Sequence, residues 1–374
     1  MMDIINFAIH AVFWVLGFLF LFRITRCGSG VTENSHYPSI SIIVPARNEE
    51  KTLPILLASL KDQSLTPDEI IIVVNQSEDR TMDIAEEADA ITIQSEPPPA
   101  GWVGKPWACY QGAIAAKGEI LIFLDADTFL EKDGLKKILN EYLKKAGVLS
   151  IQPYHKTKRL YEQFSLFFNL IGMAAMGAFT IIGRHTRPIG LFGPCLVMRR
   201  GYYFDKDGHR EVRSEIVDDL ALGEGLKRRR IPIYCYGGKG TISFRMYPNG
   251  MRELIDGWSK NFAIGASKTP LPMLLAIIAW IGGGIGSPIY LIESISNMNT
   301  SLIFAWASLY MLYAIQIYWM IFRVGTFKFY TALFYLVPLL FFVSIFIRSF
   351  FMVFIKKSVT WKGSTFNLKD RSTD

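Results

Sequence analysis

Four apolar stretches, Ile4 to Phe22, Leu271 to Ile292, Leu302 to Phe322 and Phe329 to Ile355, flank one long polar block. Each is near or beyond the ~20 residues needed to cross hydrocarbon. With 51% of residues hydrophobic and a mean hydropathy of +0.25, an ordinary soluble enzyme is a poor description of the chain. The pattern predicts a membrane protein carrying a soluble-type domain between its first two spans. No basic leader or small-residue cleavage site frames Ile4 to Phe22, and Arg23 and Arg26 follow it, so it reads as a retained anchor.

Arg23, Arg26, Arg323 and Lys328 lie beside spans, while the loop Glu293 to Ser301 has no Lys or Arg, so the polar block is expected in the cytoplasm. The basic tail, with Lys356, Lys357, Lys362, Lys369 and Arg371, also belongs on that side, yet four simple crossings would put it outside. One stretch must therefore fail to cross. Phe329 to Ile355, overlong and holding Pro338 and Arg348, is the best candidate, through a re-entrant turn or an interfacial helix after Arg348. The expected domains are an anchor over 1–23, a catalytic domain over 38–265, a membrane domain over 271–355 and a basic tail over 356–374. A net charge of +7 is explained by attraction to anionic lipid, so no nucleic-acid partner is expected. Cys27, Cys109, Cys195 and Cys235 are too dispersed for a zinc site or a disulfide framework.

Within the polar block, Ser39 to Val44 reads as a buried strand, and Leu53, Leu56, Leu57 and Leu60 repeat at helical spacing. A strand over Glu69 to Val74, helices near Arg80 to Ala88 and Pro106 to Ala116, and a strand ending at Leu124 continue the alternation. That predicts an α/β fold with a mostly parallel sheet, whose ligands bind at the carboxyl ends of the strands. Asp125-Ala126-Asp127 falls at such an end. If the chain stayed extended, both carboxylates would face one side and suit Mg²⁺ or Mn²⁺, which binds one or two carboxylates plus phosphate oxygens. Without a G-x-G-x-x-G after any strand, no dinucleotide cofactor is expected. Phe164 to Ile182 is also apolar, but a crossing there would separate Asp218 and Asp219 from Asp125 and Asp127; a buried or interfacial helix is expected.

Pro45-Ala-Arg-Asn-Glu-Glu50, Gly104-Lys105-Pro-Trp-Ala108, Asp125-Ala-Asp127 and Val217-Asp-Asp-Leu-Ala-Leu222, in this order, resemble glycosyltransferase family 2 over about Ile40 to Gly265. The resemblance implies a GT-A fold (Rossmann-like, mostly parallel sheet), a UDP-sugar donor, a divalent cation and inversion at the anomeric carbon. It implies that Pro45, Ala46, Glu49, Lys105 and Asp125 bind the donor, that Asp127 holds the metal, and that Asp219, with Asp218 beside it, is the general base. Asn75-Gln76-Ser77 departs from the family, which commonly has an acidic pair there; Glu78 or Asp79 could substitute. The Gln-x-x-Arg-Trp type motif of processive members is replaced by Tyr247 to Trp258, implying single-sugar transfer.

Leu149-Ser-Ile-Gln-Pro-Tyr-His155, Phe244-Arg-Met-Tyr247, Gly257-Trp-Ser-Lys260 and Thr360-Trp-Lys-Gly363 are similar to a narrower group of the family that glycosylates a carotenoid carboxylic acid. That implies an apolar carotenoid or lipid acceptor, with Trp258 at the membrane interface and His155 as an acceptor contact. Another lipid acceptor, such as a hydroxylated lipid, a hopanoid or a polyprenyl phosphate, remains the nearest rival.

Overall fold

The computed structural model describes residues 2–28, 37–181, 188–215, 217–355, 358–361 and 364–367. In chain order the elements begin with α1 (Met2–Phe20), β1 (Ile40–Ala46), α2 (Leu53–Lys61), β2 (Glu69–Val74), α3 (Thr81–Glu86), β3 (Ile91–Gln94), α4 (Gly104–Ala115) and β4 (Ile120–Leu124). Then come β5 (Thr128–Leu130), α5 (Gly134–Leu143), β6 (Val148–Gln152), β7 (Tyr154–His155), α6 (Leu166–Ala175), β8 (Cys195–Arg199), α7 (Arg200–Phe204) and α8 (Asp218–Arg228). β9 (Ile233–Gly237), β10 (Ile242–Phe244), α9 (Met251–Lys268), α10 (Leu271–Ser296), α11 (Thr300–Val324), α12 (Phe329–Leu333) and α13 (Leu336–Phe350) complete the set used below.

Two compact units emerge, one formed by 25–155 with 187–245, the other by 1–24, 156–186 and 246–374. The division departs from the contiguous 38–265 expected above. Residues 160–175 and Met251–Lys268 are helical and pack with the apolar helices, so sequence continuity with the sheet does not decide where they belong.

In the first unit a seven-stranded sheet runs β3-β2-β1-β4-β8-β6-β9. Its first four strands are mutually parallel, with Ala46 level with Val74 and Ile43 level with Phe123. β8 runs antiparallel between β4 and β6. Ile42, Ile43, Val44, Ile71, Ile72 and Val73 are fully buried, as strands covered on both faces must be. Parallel alignment brings the carboxyl ends of β1, β2 and β4 to one edge. A smaller sheet, β5-β10-β7, begins directly after Asp127.

In the second unit, among the described residues, Met2–Phe20, Leu271–Ser296, Thr300–Val324 and Leu336–Ile355 are long and apolar enough to cross a membrane. Polar side chains join the first three. Gln316 accepts the Trp280 indole N–H at 2.8 Å and donates to the Trp14 carbonyl at 2.8 Å. The apolar stretch after Phe164 forms a 3₁₀ turn and then α6, whose 10 residues rise only about 15 Å, too short to cross. Most of α6 is buried, in line with the buried helix expected there; Ile182 lies outside the described residues.

Candidate active site

The turn after β1 carries the left-handed Asn48 (φ 53°), as the segment after β2 carries the left-handed Gln76 (φ 48°). It is stapled to the segment after β2: Asn48 N–H donates to Ser77 Oγ (3.0 Å), Glu49 N–H to Thr81 Oγ1 (2.7 Å) and Glu50 N–H to Asp79 Oδ2 (3.1 Å). Burial pushes the Asp79 carboxyl up, but hydrogen bonds from the Thr81 hydroxyl and the Glu50 N–H outweigh it and hold the group below its ordinary range. Asp79 is thus committed to the loop, and base recognition there would break the staple. Glu49 accepts a hydrogen bond from the Thr52 hydroxyl at the start of α2 (2.5 Å). Pro45 and Ala46 end β1, and the Asn75 N–H donates to the Ala46 carbonyl (2.8 Å).

Asn75 is almost fully buried, and its Oδ1 has no hydrogen-bond partner among the described residues. A Cβ on Gly104 would come 2.5 Å from Asn75 Nδ2, so the first residue of α4 must be glycine for the carboxamide to keep its place. Next to it, Lys105 Nζ pairs with Asp125 Oδ1 at 2.7 Å. Burial disfavours the ammonium, but Asp125 and then Asp218 outweigh it and push the Lys105 pKa well above its ordinary value.

Asp125 and Asp127 do not continue β4 as extended chain. Asp125 N–H donates to the Pro194 carbonyl (3.0 Å), and its own carbonyl accepts from the Thr128 N–H (3.1 Å) and hydroxyl (2.7 Å), closing a tight turn over the buried Ala126. The same-side argument from extended geometry is replaced by this turn, which leaves both aspartates half-buried.

Asp218 and Asp219 open α8, where a carboxylate is favoured by the exposed backbone N–H groups. Asp219 Oδ2 accepts the Gly193 N–H at 3.1 Å and Oδ1 the Leu220 N–H at 2.9 Å. A Cβ on Gly193 would lie 2.8 Å from Asp219 Oδ2. Burial, then the neighbouring Asp218, raises the Asp219 pKa to about 6, while Lys105 opposes the rise. Behind Asp218 stands His209, with Nε2 3.8 Å from Asp218 Oδ2. Tyr203 fixes this histidine. The His209 backbone N–H donates to the Tyr203 oxygen (3.2 Å), and the same oxygen lies 3.0 Å from His209 Nδ1. Burial holds the His209 pKa down to about 4 despite the pull of Asp218.

Three aspartates, 125, 218 and 219, thus interact with one ammonium, and Asp127 follows in the adjoining turn. The surplus negative charge suits a divalent cation. Among the described residues, no three His, Cys, Asp or Glu side chains converge as a ready-made cage. His209, Tyr203 and Gly193 carry no motif and were invisible in the sequence; a lone His and a Phe-Gly-Pro step give no signal.

The sequence also assigned two residues to the acceptor. His155, in β7, is fully buried with its ring 4.8 Å from that of Phe244, and presents no surface to an acceptor. In the second unit, Trp258 stacks on Phe168 (4.7 Å) and donates its indole N–H to Ser165 Oγ (3.1 Å). Lys260 has its side chain outside the described residues.

Comparison with known proteins identifies the family. Residues 41–205 match the profile described as Glycosyl transferase family 2. The chain is 37% identical to the 4,4'-diaponeurosporenoate glycosyltransferase of Staphylococcus haemolyticus, over 88% of this chain and 89% of that one. It is 33% identical to the Staphylococcus aureus protein of the same name, over 90% of each. Among solved structures, the mannosyltransferase PcManGT from Pyrobaculum calidifontis, in complex with GDP-Man and Mn²⁺, shares the fold at a TM-score of 0.57 and 16% identity, covering 93% of this chain and 99% of that one. With a GT-A-like sheet whose carboxyl edge gathers Lys105, Asp125, Asp127, Asp218 and Asp219, the chain belongs to glycosyl transferase family 2 and is a glycosyltransferase.

Proposed function

We propose that the enzyme transfers glucose from UDP-glucose to the terminal carboxylate of 4,4'-diaponeurosporenoate, giving a glycosyl ester in staphyloxanthin-type carotenoid synthesis, with inversion at the anomeric carbon. One observation carries the reading: relatives matched along nearly the whole chain bear that acceptor's name. The charged cluster supplies the means. Pro45, Ala46 and Glu49 line the nucleotide side, Asp125 contacts the donor's sugar and ribose, and Lys105 offsets charge growing on the departing diphosphate. Asp127 is the residue that would hold Mn²⁺ or Mg²⁺. When bound, the cation adds positive charge at the same diphosphate.

A carotenoid acid has an ordinary carboxyl pKa of about 4 to 5, so at neutral pH it arrives ionised and Asp219 has little proton to remove. Asp219 then orients the acceptor side through its bonds to Gly193 and Leu220. A second reading has its own support. A carboxylate raised to about 6 is poised as a general base for a hydroxyl acceptor, which favours a hydroxylated lipid.

The test supplies membranes containing the protein with UDP-glucose, Mn²⁺ and diaponeurosporenoic acid. A glycosyl ester that disappears in Asp127→Ala supports the carboxylate reading; product on a hydroxylated lipid and none on the acid would reject it.

A further inference from the structure

Both ends of the segment that begins at Lys328 are tied to polar parts of the second unit. At the start, the Thr326 hydroxyl accepts the Thr157 N–H (2.7 Å), the Lys328 N–H donates to Gln163 Oε1 (2.9 Å) and the Thr331 hydroxyl to the same oxygen (2.8 Å). At the far end, Arg348 pairs with Asp256 of α9 at 2.9 Å and Ser349 Oγ accepts the Ala263 N–H at 3.1 Å. α9 carries Arg252, Glu253, Asp256 and Lys268, and a charge at the bilayer centre costs at least ~2.5 kcal/mol. α9 therefore lies at the water interface, and Arg348 with it. The two ends share one level. Trp258 of α9 bonds Ser165, two residues from Gln163, and the Tyr161 hydroxyl bonds the Tyr247 carbonyl just before α9.

Between these ends the chain goes deep. It breaks after α12 at Phe334. Tyr335 then donates to the Gly284 carbonyl (2.9 Å), lies 3.0 Å from Ser287 Oγ and stacks on Tyr310 (5.0 Å). The Tyr310 hydroxyl in turn donates to the Leu333 carbonyl (2.6 Å). Gly284 stands at the midpoint of α10, and Tyr310 is close to that of α11. Half of a ~30 Å hydrocarbon core is about 15 Å. The five residues of α12 descend about 8 Å, the Tyr335 side chain reaches on toward Gly284, and α13, 15 residues long, rises roughly 20 Å on the return.

We infer that Lys328 to Ser349 is a re-entrant helical hairpin that enters the membrane, turns at Phe334-Tyr335 and leaves on the side it entered. Its partner is the hydrocarbon of a single leaflet, the one adjoining Arg23. Phe334, Val337, Leu340 and Ile347 face outward, roughly half to two-thirds exposed, while Phe341 and Phe342 pack inward on Phe168. Although Leu336–Ile355 is long and apolar enough to cross, the hydrogen bonds of the longer segment from Lys328 to Ser349 place both of its ends on one side. The chain then crosses three times, through α1, α10 and α11, and the tail emerges on the side of Arg23 and Arg323. This topology stands whichever acceptor the enzyme uses.

The test joins green fluorescent protein or alkaline phosphatase to the C-terminus of the full chain in a bacterial inner membrane. Fluorescence without phosphatase activity is expected; active phosphatase would overturn the hairpin by showing a fourth crossing. Because Cys27, Cys109, Cys195 and Cys235 are all buried, Phe334→Cys gives a clean second reading. It should resist a membrane-impermeant maleimide on both faces of intact vesicles and react once detergent is added. Labelling from either face before detergent would place the turn outside the hydrocarbon and reject the dip.

Discussion

The two units treat polar groups in opposite ways. In the sheet unit charges are concentrated: Asp125 and Asp218 shift the ionisation of Lys105 and Asp219 at the strand ends, and His209 is held neutral behind them. In the helical unit polar groups are few and act as cross-links between apolar helices, as Gln316 does with Trp280 and Trp14, or Tyr335 with Gly284. Gathering charges beside one edge prepares a site for an anionic donor, whereas spacing polar cross-links along apolar helices fixes how the helices pack. The first strategy shifts pKa values and the second does not require it.

If that contrast is right, removing a charge at the strand edge should harm turnover far more than stability. Asp127→Ala should lower metal-dependent glycosyl transfer by more than ~10³ while leaving thermal unfolding nearly unchanged, since a half-buried turn residue contributes little to the core; near-normal turnover measured with Mn²⁺ would break the comparison. Asp219→Asn should cost clearly less than the ~10² to 10⁴ usual for a general base if the acceptor is a carboxylate. The pH profile sharpens this. An acid limb near 6, the Asp219 value, means that rate is lost as a required base is protonated, whereas a limb at about 4 to 5 belongs to the acceptor. Gly193→Ala presses a Cβ toward Asp219 Oδ2 and should lower kcat by about tenfold, with KM for the UDP-sugar little changed.

Smaller effects should appear in stability. His209 has an unfolded pKa of 6.5 and a folded value of about 4, so between those values the unfolded chain binds a proton that the native one excludes. Native stability should fall as pH drops through this window, by up to about 3 kcal/mol, and His209→Gln should flatten the dependence of Tm on pH in detergent. An unchanged slope would show that His209 titrates freely. In the helical unit, Gln316→Leu should destabilise by only about 1 kcal/mol, read as a small Tm decrease with kcat intact.

Much of the catalytic unit was legible before any coordinates. β2 runs over Glu69 to Val74 as expected, and β1, α2 and β4 differ only at their ends, because short buried strands and Leu-spaced helices declare themselves through local periodicity. β3, a four-residue edge strand with only partial burial, has no such signature. The candidate site was legible as four motif pieces, but not as a charge network, because Lys105 meets Asp125 and Asp218 only after the chain has folded back on itself. The aspartate turn shows the limit in miniature: residue spacing indicates a side for each carboxylate only if the backbone conformation is already known.

The sequence by itself determined that the chain has an α/β domain and apolar membrane-type helices, since hydropathy and period are local properties. It also set the parity problem of the basic tail. Only the tertiary structure decided that residues 160–175 and Met251–Lys268 pack with the apolar helices, that Tyr203 holds His209 behind Asp218, and that the last apolar stretch breaks at Phe334 with both ends bonded to polar segments. Length and composition are the same for a crossing helix and a returning one; what separates them is which distant groups the two ends meet, and that is a property of the folded chain alone.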